Sequence, residues 1–351
     1  MGKGAVAAIL ILVLIAAAYF TLQNFGTPGT SGSETPTKTE TVTETISESS
    51  TSTYTVTETV SETPTESSPP SQTKTPAPTR EELEKEFGYK ITATLPEIPE
   101  KSPVVVLDRP EVNGEYAITV ARAFNVEPKN VTERSNYYRV FDGRYAVKVY
   151  KKSGAVFYQD TERLFKLSKG NYSLTDDEAR RIADQVLERY NLLPSDPRDK
   201  AYFYNIRHLY SATGSGETRI EDTEVIYRRK INGIPVLGPG SMMVVYLDNE
   251  GNLIGLYRDW KPLKELTGEM PNDGIETAFS RMKTLDDSRN LTTSDITVYS
   301  AAFGYYDGGR YSGQSYLQPS LIFKRDYGEN EIIYAYIAVP TLKEPMEEMK
   351  G

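Results

Sequence analysis

The stretch TDDEARRIADQVLERY, residues 175–190, decides the fold class because it predicts an amphipathic helix with a clear start. Thr175 at the N-cap and Glu178 three residues later form a capping box, and Asp176 and Asp177 favour the positive end of the helix dipole. The apolar side chains recur at helical spacing and share one face: Ala179, Ile182, Ala183, Val186, Leu187 and Tyr190. The segment therefore predicts a helix that packs on other parts of a folded body.

Three further segments carry helix signals. Thr79 with Glu82 predicts a short helix that stops at Gly88. Longer helices with the same apolar offsets are predicted to open at Asn113 and at Asp273. The folded region is thus expected to begin with a short helix and then to repeat a longer one three times.

Each longer helix is followed by alternating aromatic and β-branched residues that are broken by turn residues, which is typical of antiparallel hairpins. The clearest hairpins are predicted over residues 148–158, 245–257 and 322–336. The pattern predicts an α+β fold of tandem helix-plus-antiparallel-sheet modules. We predict modules at 80–172, 173–265 and 266–342, and a tail at 343–351.

The N-terminal residues 1–26 contain an uncharged, mostly apolar run from Ala5 to Leu22 behind Lys3. Its length is close to the lower limit for a membrane-spanning helix, and Lys3 would remain in the cytoplasm. A cleaved signal peptide is the alternative because small residues end the run, and Lys3-Gly4-Ala5 also resembles the start of archaeal prepilins. We expect a single-pass cell-membrane protein with an extracellular body, or a secreted one after cleavage.

Residues 27–79 have the composition of a stalk. Of these 53 residues, 28 are Ser or Thr and seven are Pro, with acidic residues spaced among them. Large apolar side chains are almost absent, so burial cannot offset the entropy cost of ordering. We predict a disordered stalk, either O-glycosylated or an unmodified linker.

The composition excludes several chemistries. The chain has 351 residues, no cysteine and one histidine, which removes disulfides, thiolate metal sites and paired-histidine metal sites. The net charge of −9 argues against a nucleic-acid partner. We therefore expect no bound metal or cofactor.

The remaining candidates for chemistry have ordinary structural interpretations. Ser280 and Lys283 match the Ser-x-x-Lys pattern of penicillin-interacting enzymes but lack its companion motifs. Residues 248–252 resemble a calcium loop without its bidentate glutamate, so a hairpin turn is the better interpretation. His208 lies in a strand-like aromatic stretch. No sequence spacing links the acidic pairs at 176–177 and 286–287 to a second carboxylate for acid–base catalysis. We expect no catalytic residue.

Three segments resemble a known family. TDDEARRIADQVLERY looks like the helix of a PepSY domain, and the Asn-Gly-Ile-Pro-Val hairpin within 227–257 resembles the fungalysin/thermolysin propeptide. Residues 316–340 look like the closing strands of such modules. Tandem copies behind one membrane helix are similar to membrane-anchored accessory regulators of a cell-wall histidine kinase. The resemblance implies a binding or inhibitory role and carries no catalytic residue over.

Two segments are candidate partner-binding sites. The first is a tight turn followed by a strand with a proline, which marks a strand start or an exposed edge that another chain could extend. Its residues are Asn232, Gly233, Ile234, Pro235 and Val236. The second is a long loop rich in glycine and tyrosine. Its candidate residues are Tyr305, Tyr306, Arg310, Tyr311 and Tyr316.

Asn130, Asn171 and Asn290 each begin an Asn-x-Ser/Thr sequon and are candidate glycosylation sites.

The combined features predict a non-enzymatic, membrane-tethered extracytoplasmic protein that binds or regulates a protein partner, a protease or a sensor. The alternatives are a glycan-binding or structural surface component, and a hydrolase of surface polymers that uses acidic residues. The oligomeric state remains open.

Overall fold

The computed structural model describes residues 39–46, 50–60, 78–166, 173–212, 218–327 and 335–346. Within them the α-helices are α1 (Arg80–Phe87), α2 (Gly114–Ala123), α3 (Asp176–Arg189) and α4 (Ile275–Ser288), with a short 3₁₀ helix at Thr293–Asp295. The strands of the first part of the chain are β1 (Thr39–Ile46), β2 (Ser50–Val60), β3 (Lys90–Ile91), β4 (Lys101–Ser102), β5 (Val105–Leu107), β6 (Asn130–Glu133), β7 (Tyr137–Phe141), β8 (Tyr145–Tyr150) and β9 (Val156–Asp160). The later strands are β10 (Asp199–Ala212), β11 (Thr218–Ile231), β12 (Ile234–Leu237), β13 (Met242–Leu247), β14 (Leu253–Asp259), β15 (Leu263–Leu266), β16 (Met270–Pro271), β17 (Ile296–Tyr306), β18 (Tyr316–Leu317), β19 (Pro319–Tyr327) and β20 (Ala335–Pro340).

One large mixed sheet dominates the described residues. Its main path runs β20-β19-β17-β12-β11-β13-β14-β9-β8-β7-β6, and β10 pairs with β11 beside that path. The small sheet β15-β5-β18 and the pair β16-β4 lie outside it. Most neighbours are antiparallel, but β12 runs parallel to β17, and β3 also runs parallel to β17.

The helices cover this sheet in two pairs. α2 and α3 contribute to one apolar cluster, in which Ala117 and Ala183 pack with sheet residues such as Val147 and Val245. α1 and α4 contribute to a second cluster on β17, β19 and β20, where the rings of Phe87 and Phe279 stack at 5.9 Å. The first predicted helix therefore packs on the last one.

The predicted fold class, tandem helix-plus-sheet modules behind a membrane helix and a stalk, is wrong. The local patterns were correct, but they do not specify which elements pair. β12 lies between β11 and β17, and so joins strands that the prediction assigned to separate modules.

The stalk prediction is also wrong for two of its segments. Thr39–Ile46 and Ser50–Val60 form an antiparallel pair, and residues 57–60 pair with β10. Both segments are rich in threonine and valine, whose branched side chains favour extended backbone. Most of the rest of 27–79 lies outside the described residues.

The predicted localisation is corrected as well. Among the residues that the structure describes, no helix is long and apolar enough to cross a bilayer. The longest, α3 and α4, have 14 residues each, whereas about 20 are needed. The apolar run at 5–22, on which both the single-pass and the secreted interpretations depend, lies outside the described residues.

The local start and turn signals are confirmed. Capping boxes are present at Thr79 and Thr175, and Gly88 ends α1 in the left-handed region. Asn113 caps α2, whereas α4 is capped by Gly274, one residue after the predicted Asp273. The hairpins β8-β9 and β13-β14 form as predicted, and β19 pairs with β20.

Replacing Thr175 with alanine is expected to lower the free energy of unfolding by about 1 kcal/mol. The Thr175 hydroxyl accepts from the Glu178 backbone N–H at 3.3 Å, and the Glu178 carboxylate accepts from the Thr175 backbone N–H at 3.2 Å. Urea denaturation measures the change. Gln185→Ala, at an exposed position of the same helix, should stay within about 0.5 kcal/mol; an equal loss in both variants contradicts the role of the cap.

Candidate functional site

The face of the sheet opposite α2 and α3 carries aromatic and charged side chains. Strand register aligns Arg139 with Lys148, Lys148 with Phe157, and Phe157 with Tyr257 across β7, β8, β9 and β14. Directly paired residues project to the same face, so these four side chains form one row. The adjacent row on the other face, which includes Val140, belongs to the core beneath α2 and α3.

The loop that joins β17 to β18, residues 307–315, lies on this face. Arg310 places its guanidinium carbon 5.3 Å from the centre of the Tyr150 ring, 6.0 Å from that of Tyr257 and 5.0 Å from that of Tyr311. The Ser153 hydroxyl donates to the Arg310 carbonyl oxygen at 2.9 Å. The predicted recognition loop is therefore attached to the strands that carry the aromatic row.

Hydrogen bonds fix the shape of this loop. The Gly308 backbone N–H donates to the Gln314 side-chain oxygen at 2.6 Å. Arg109 donates to the Gly313 carbonyl oxygen at 3.0 Å, and the Leu107 backbone N–H donates to that of Ser315 at 2.8 Å. The position of Arg310 is thus preorganised.

Three cationic side chains on this face, Arg139, Lys148 and Arg310, lie close to aromatic rings. Arg139 lies 4.5 Å from the centre of the Phe141 ring, and the Lys148 ammonium lies 5.5 Å from that of Phe157. Within the described part of the chain, no carboxylate oxygen lies within 4 Å of the charged nitrogens of Arg139, Lys148 or Arg310. Burial, followed by the charges of Arg139 and Arg310, lowers the pKa of Lys148. We call Arg139, Lys148, Phe157, Arg310 and Tyr311 the cation–aromatic face.

The other tyrosines of the predicted loop do not join this face. Tyr305 is fully buried and donates to the Pro103 carbonyl oxygen at 3.0 Å. Tyr306 and Tyr316 are half-buried and lie in β17 and β18. Tyr311 is 48% exposed. Of the predicted loop residues, the structure thus brings Arg310 and Tyr311 together, and it places the other three elsewhere.

The first candidate segment, residues 232–236, pairs with strands on both sides instead of forming an exposed edge. Asn232 and Gly233 have φ values of 48° and 81°, as the predicted tight turn requires. Pro235 then pairs with Lys230 of β11, while Val236 pairs with Tyr305 of β17. The expected free edge at Ile234–Val236 is occupied by the neighbouring strands of the same chain.

Two of the candidate glycosylation sites, Asn130 and Asn290, are exposed. Asn171 lies outside the described residues.

The weaker chemical candidates have structural roles. His208 contacts Thr223 and Asp176 at 3.1 and 3.0 Å. Asp248 accepts from the Glu250 and Asn252 backbone N–H groups, as a turn residue does. Among the described residues, no group of three or more acidic or histidine side chains could hold a metal ion.

Sequence reasoning missed a buried polar cluster at the ends of β14 and β17. Lys261 donates to Asp307 at 3.0 Å, and both side chains are fully buried. Burial raises the pKa of the adjacent Asp259 to about 7, whereas the pKa of Asp307 is held below its usual range by Lys261 and by hydrogen bonds from Gly309 and Ser241. Asp259 and Asp307 are 0% exposed, so no polymer reaches these two carboxyl groups.

No protein-family model matches the chain, and no curated protein matches it. Nine chains of solved structures do match. One is the crystal structure of an uncharacterized protein from Eubacterium rectale, with 13% sequence identity and a TM-score of 0.38. The match covers 69% of this chain and 82% of that one. A likeness at this level carries no functional argument, and the resemblance to PepSY domains stays a prediction.

Proposed function

We propose that this chain is a non-enzymatic binding protein that recognises an acidic segment of a protein partner through the cation–aromatic face. The observation that carries the proposal is the set of Arg139, Lys148 and Arg310 on one face without a carboxylate within 4 Å among the described residues. The chain as a whole has a net charge of −9. A local positive surface on an acidic protein selects acidic ligands by charge complementarity.

The aromatic rings support a protein partner. Phe157 and Tyr311 provide rigid apolar area beside the cations, the combination that is enriched at the centres of protein interfaces. The alternative of a glycan platform is less well supported, because Tyr305, Tyr306 and Tyr316 are not presented with Tyr311. The resemblance to propeptide-like modules favours a protease or a sensor as the partner.

Binding to a labelled peptide tests this function. The probe is a fluorescein-labelled peptide of alternating glutamate and tyrosine, about twelve residues long, measured by fluorescence anisotropy with the full chain. We expect the combined Arg139→Ala, Lys148→Ala and Arg310→Ala variant to bind about tenfold more weakly or worse. Binding should also weaken as the salt concentration rises.

The matched control removes the same charge elsewhere. Arg181→Ala, Lys200→Ala and Arg189→Ala combine three exposed positions away from the cation–aromatic face, and this variant should keep the wild-type affinity. Equal weakening in the two triple variants, or equal affinity for an alternating lysine–tyrosine peptide, contradicts the proposal. Near-ultraviolet circular dichroism checks that both variants are folded.

A further inference from the structure

The buried pair of Lys261 and Asp307 has the geometry of two groups ready to condense. Lys261 follows β14 and Asp307 follows β17, and Nζ lies 3.0 Å from Oδ1. The Ser241 hydroxyl donates to Oδ2 at 2.8 Å, and the Gly309 backbone N–H donates to Oδ1 at 3.0 Å. These donors fix the carboxyl carbon of Asp307 beside a primary amine, in a site that excludes water.

The choice of lysine sets this pair apart from the other fully buried ion pairs of the described residues. Arg229 pairs with Asp199, and Arg325 pairs with Asp286. A guanidinium suits bidentate pairing with a carboxylate and is a poor nucleophile, whereas the primary amine of a lysine side chain can act as a nucleophile.

Asp259 is a third buried ionisable group, near enough to the pair for both charges to act on it. It stands two residues before Lys261, it is 0% exposed, and its Oδ1 has no hydrogen-bond partner. Its Oδ2 accepts from the Tyr257 hydroxyl at 3.2 Å. Burial raises the pKa of Asp259 to about 7. The charge of Asp307 adds to this increase in pKa, and the charge of Lys261 opposes it. A carboxylic acid that holds its proton near neutral pH is suited to proton transfer.

We propose that Lys261 and Asp307 form an intramolecular isopeptide bond and that Asp259 transfers the protons of the reaction. This inference is independent of the proposed binding function. The Lys261 ammonium first passes a proton to the Asp307 carboxylate, which gives a neutral amine and a neutral carboxylic acid.

The Nζ lone pair then attacks Cγ of Asp307, and the carbonyl electron pair moves onto oxygen. Lys261 contacts Oδ1, which becomes the hydroxyl, so the carbonyl oxygen is Oδ2, and the Ser241 hydroxyl that donates to Oδ2 stabilises its negative charge. Asp259 gives its proton to the leaving hydroxyl and takes one from nitrogen. The Cγ–O bond breaks with its electron pair on oxygen, one water leaves, and an amide remains. No group is oxidised or reduced.

Mass spectrometry of the full chain tests the bond. We expect the mass of the denatured protein to lie about 18 Da below the sequence mass, the loss of one water. Tandem mass spectrometry of a tryptic digest should recover the peptides of Lys261 and Asp307 as one linked species. Recovery of both peptides unlinked and at full mass overturns the proposal.

Three variants assign the roles. Lys261→Arg keeps the charge but cannot condense, so it should show the full mass. Asp259→Asn should lose or strongly slow the linkage while keeping the near-ultraviolet circular dichroism of the native protein. Linkage at the wild-type rate in Asp259→Asn overturns the role of that residue. Ser312→Ala, a control in the same loop outside the cluster, should link as the wild type does.

A competing reaction gives the same mass change. Asp307 precedes Gly308, and an Asp-Gly sequence can lose water by closing a succinimide. That product would persist in Lys261→Arg and would leave the two peptides separate. This outcome also overturns the proposal.

Discussion

Replacing Asp286 with alanine is expected to lower the free energy of unfolding by about 3–5 kcal/mol. Asp286 on α4 is fully buried and accepts hydrogen bonds from both terminal nitrogens of Arg325. It also accepts from the Tyr89 hydroxyl at 2.6 Å. The variant removes a carboxylate that a buried arginine and a tyrosine share in a core, and with it the charge that Asp286 places against the guanidinium.

Urea denaturation measures this loss, and Asp287→Ala is the matched control. Asp287 is the next residue of α4, and its side chain is largely exposed, with Lys283 at 3.5 Å. Such a surface pair contributes at most about 0.5 kcal/mol. A loss below 1 kcal/mol for Asp286→Ala would show that solvent reaches the site. The combination of Tyr89→Phe, Asp286→Leu and Arg325→Met should recover much of the stability, because apolar replacement removes the desolvation cost.

The second large effect is a pH dependence that Asp222 imposes on stability. Asp222 is 1% exposed, and its carboxylate accepts from the Phe165 backbone N–H at 3.2 Å. Burial raises the pKa of Asp222 to about 7, and the nearby Glu224 and Glu221 add to the increase. The folded state thus holds this proton more tightly than the unfolded chain, whose aspartate titrates near pH 4.

The direction follows from proton linkage. Below about pH 4 both states are protonated, and Asp222 makes no pH-dependent contribution. Between about pH 4 and pH 7 the unfolded state binds fewer protons, so stability falls as pH rises, by about 4 kcal/mol in total. The contribution is constant above that range.

The measurement is urea denaturation of the wild type and of Asp222→Asn at pH values from about 4.5 to 8. The wild type should lose stability relative to the variant by about 3–4 kcal/mol over that range. Asp108→Asn, at an exposed position, should run parallel to the wild type. An unchanged difference between wild type and Asp222→Asn at the two ends of the range contradicts the prediction.

Local features of the fold were predictable because their causes are local. The capping box at Thr175 depends on residues three positions apart, and the turn at Asn232-Gly233 depends on adjacent ones. The apolar stripe of α3 has a period that the sequence displays directly. These features are confirmed.

The pairing of distant segments was not predictable from one sequence. Val236 pairs with Tyr305 of β17. The residues of these two strands do not indicate which other strand each will pair with. The same reason hides the contact of Arg310 with Tyr150, since neither residue type is unusual in its own segment. The threonine-rich strands β1 and β2 were not predicted because they contain few large apolar residues to bury. The strand propensity of threonine and valine favours extended structure there.

The candidate site was predicted in part. Arg310 and Tyr311 were singled out from the composition of their loop, whereas Arg139 and Lys148 were not. Charged residues that alternate with valine in a strand indicate a face away from the core, but not that a loop will bring a third cation to them. Lys261 and Asp307 were missed because burial of a charged pair is a property of the folded chain.

The contact between α1 and α4 has a consequence for how the protein is made. The hydrogen bond from Tyr89 to Asp286 spans 197 positions of the chain. A ribosome releases α1 early, and its partner α4 emerges only after strands β3 to β16 have left the exit tunnel. The nascent chain therefore carries Leu83 and Phe87 uncovered through most of its synthesis, a period in which chaperones have access to them.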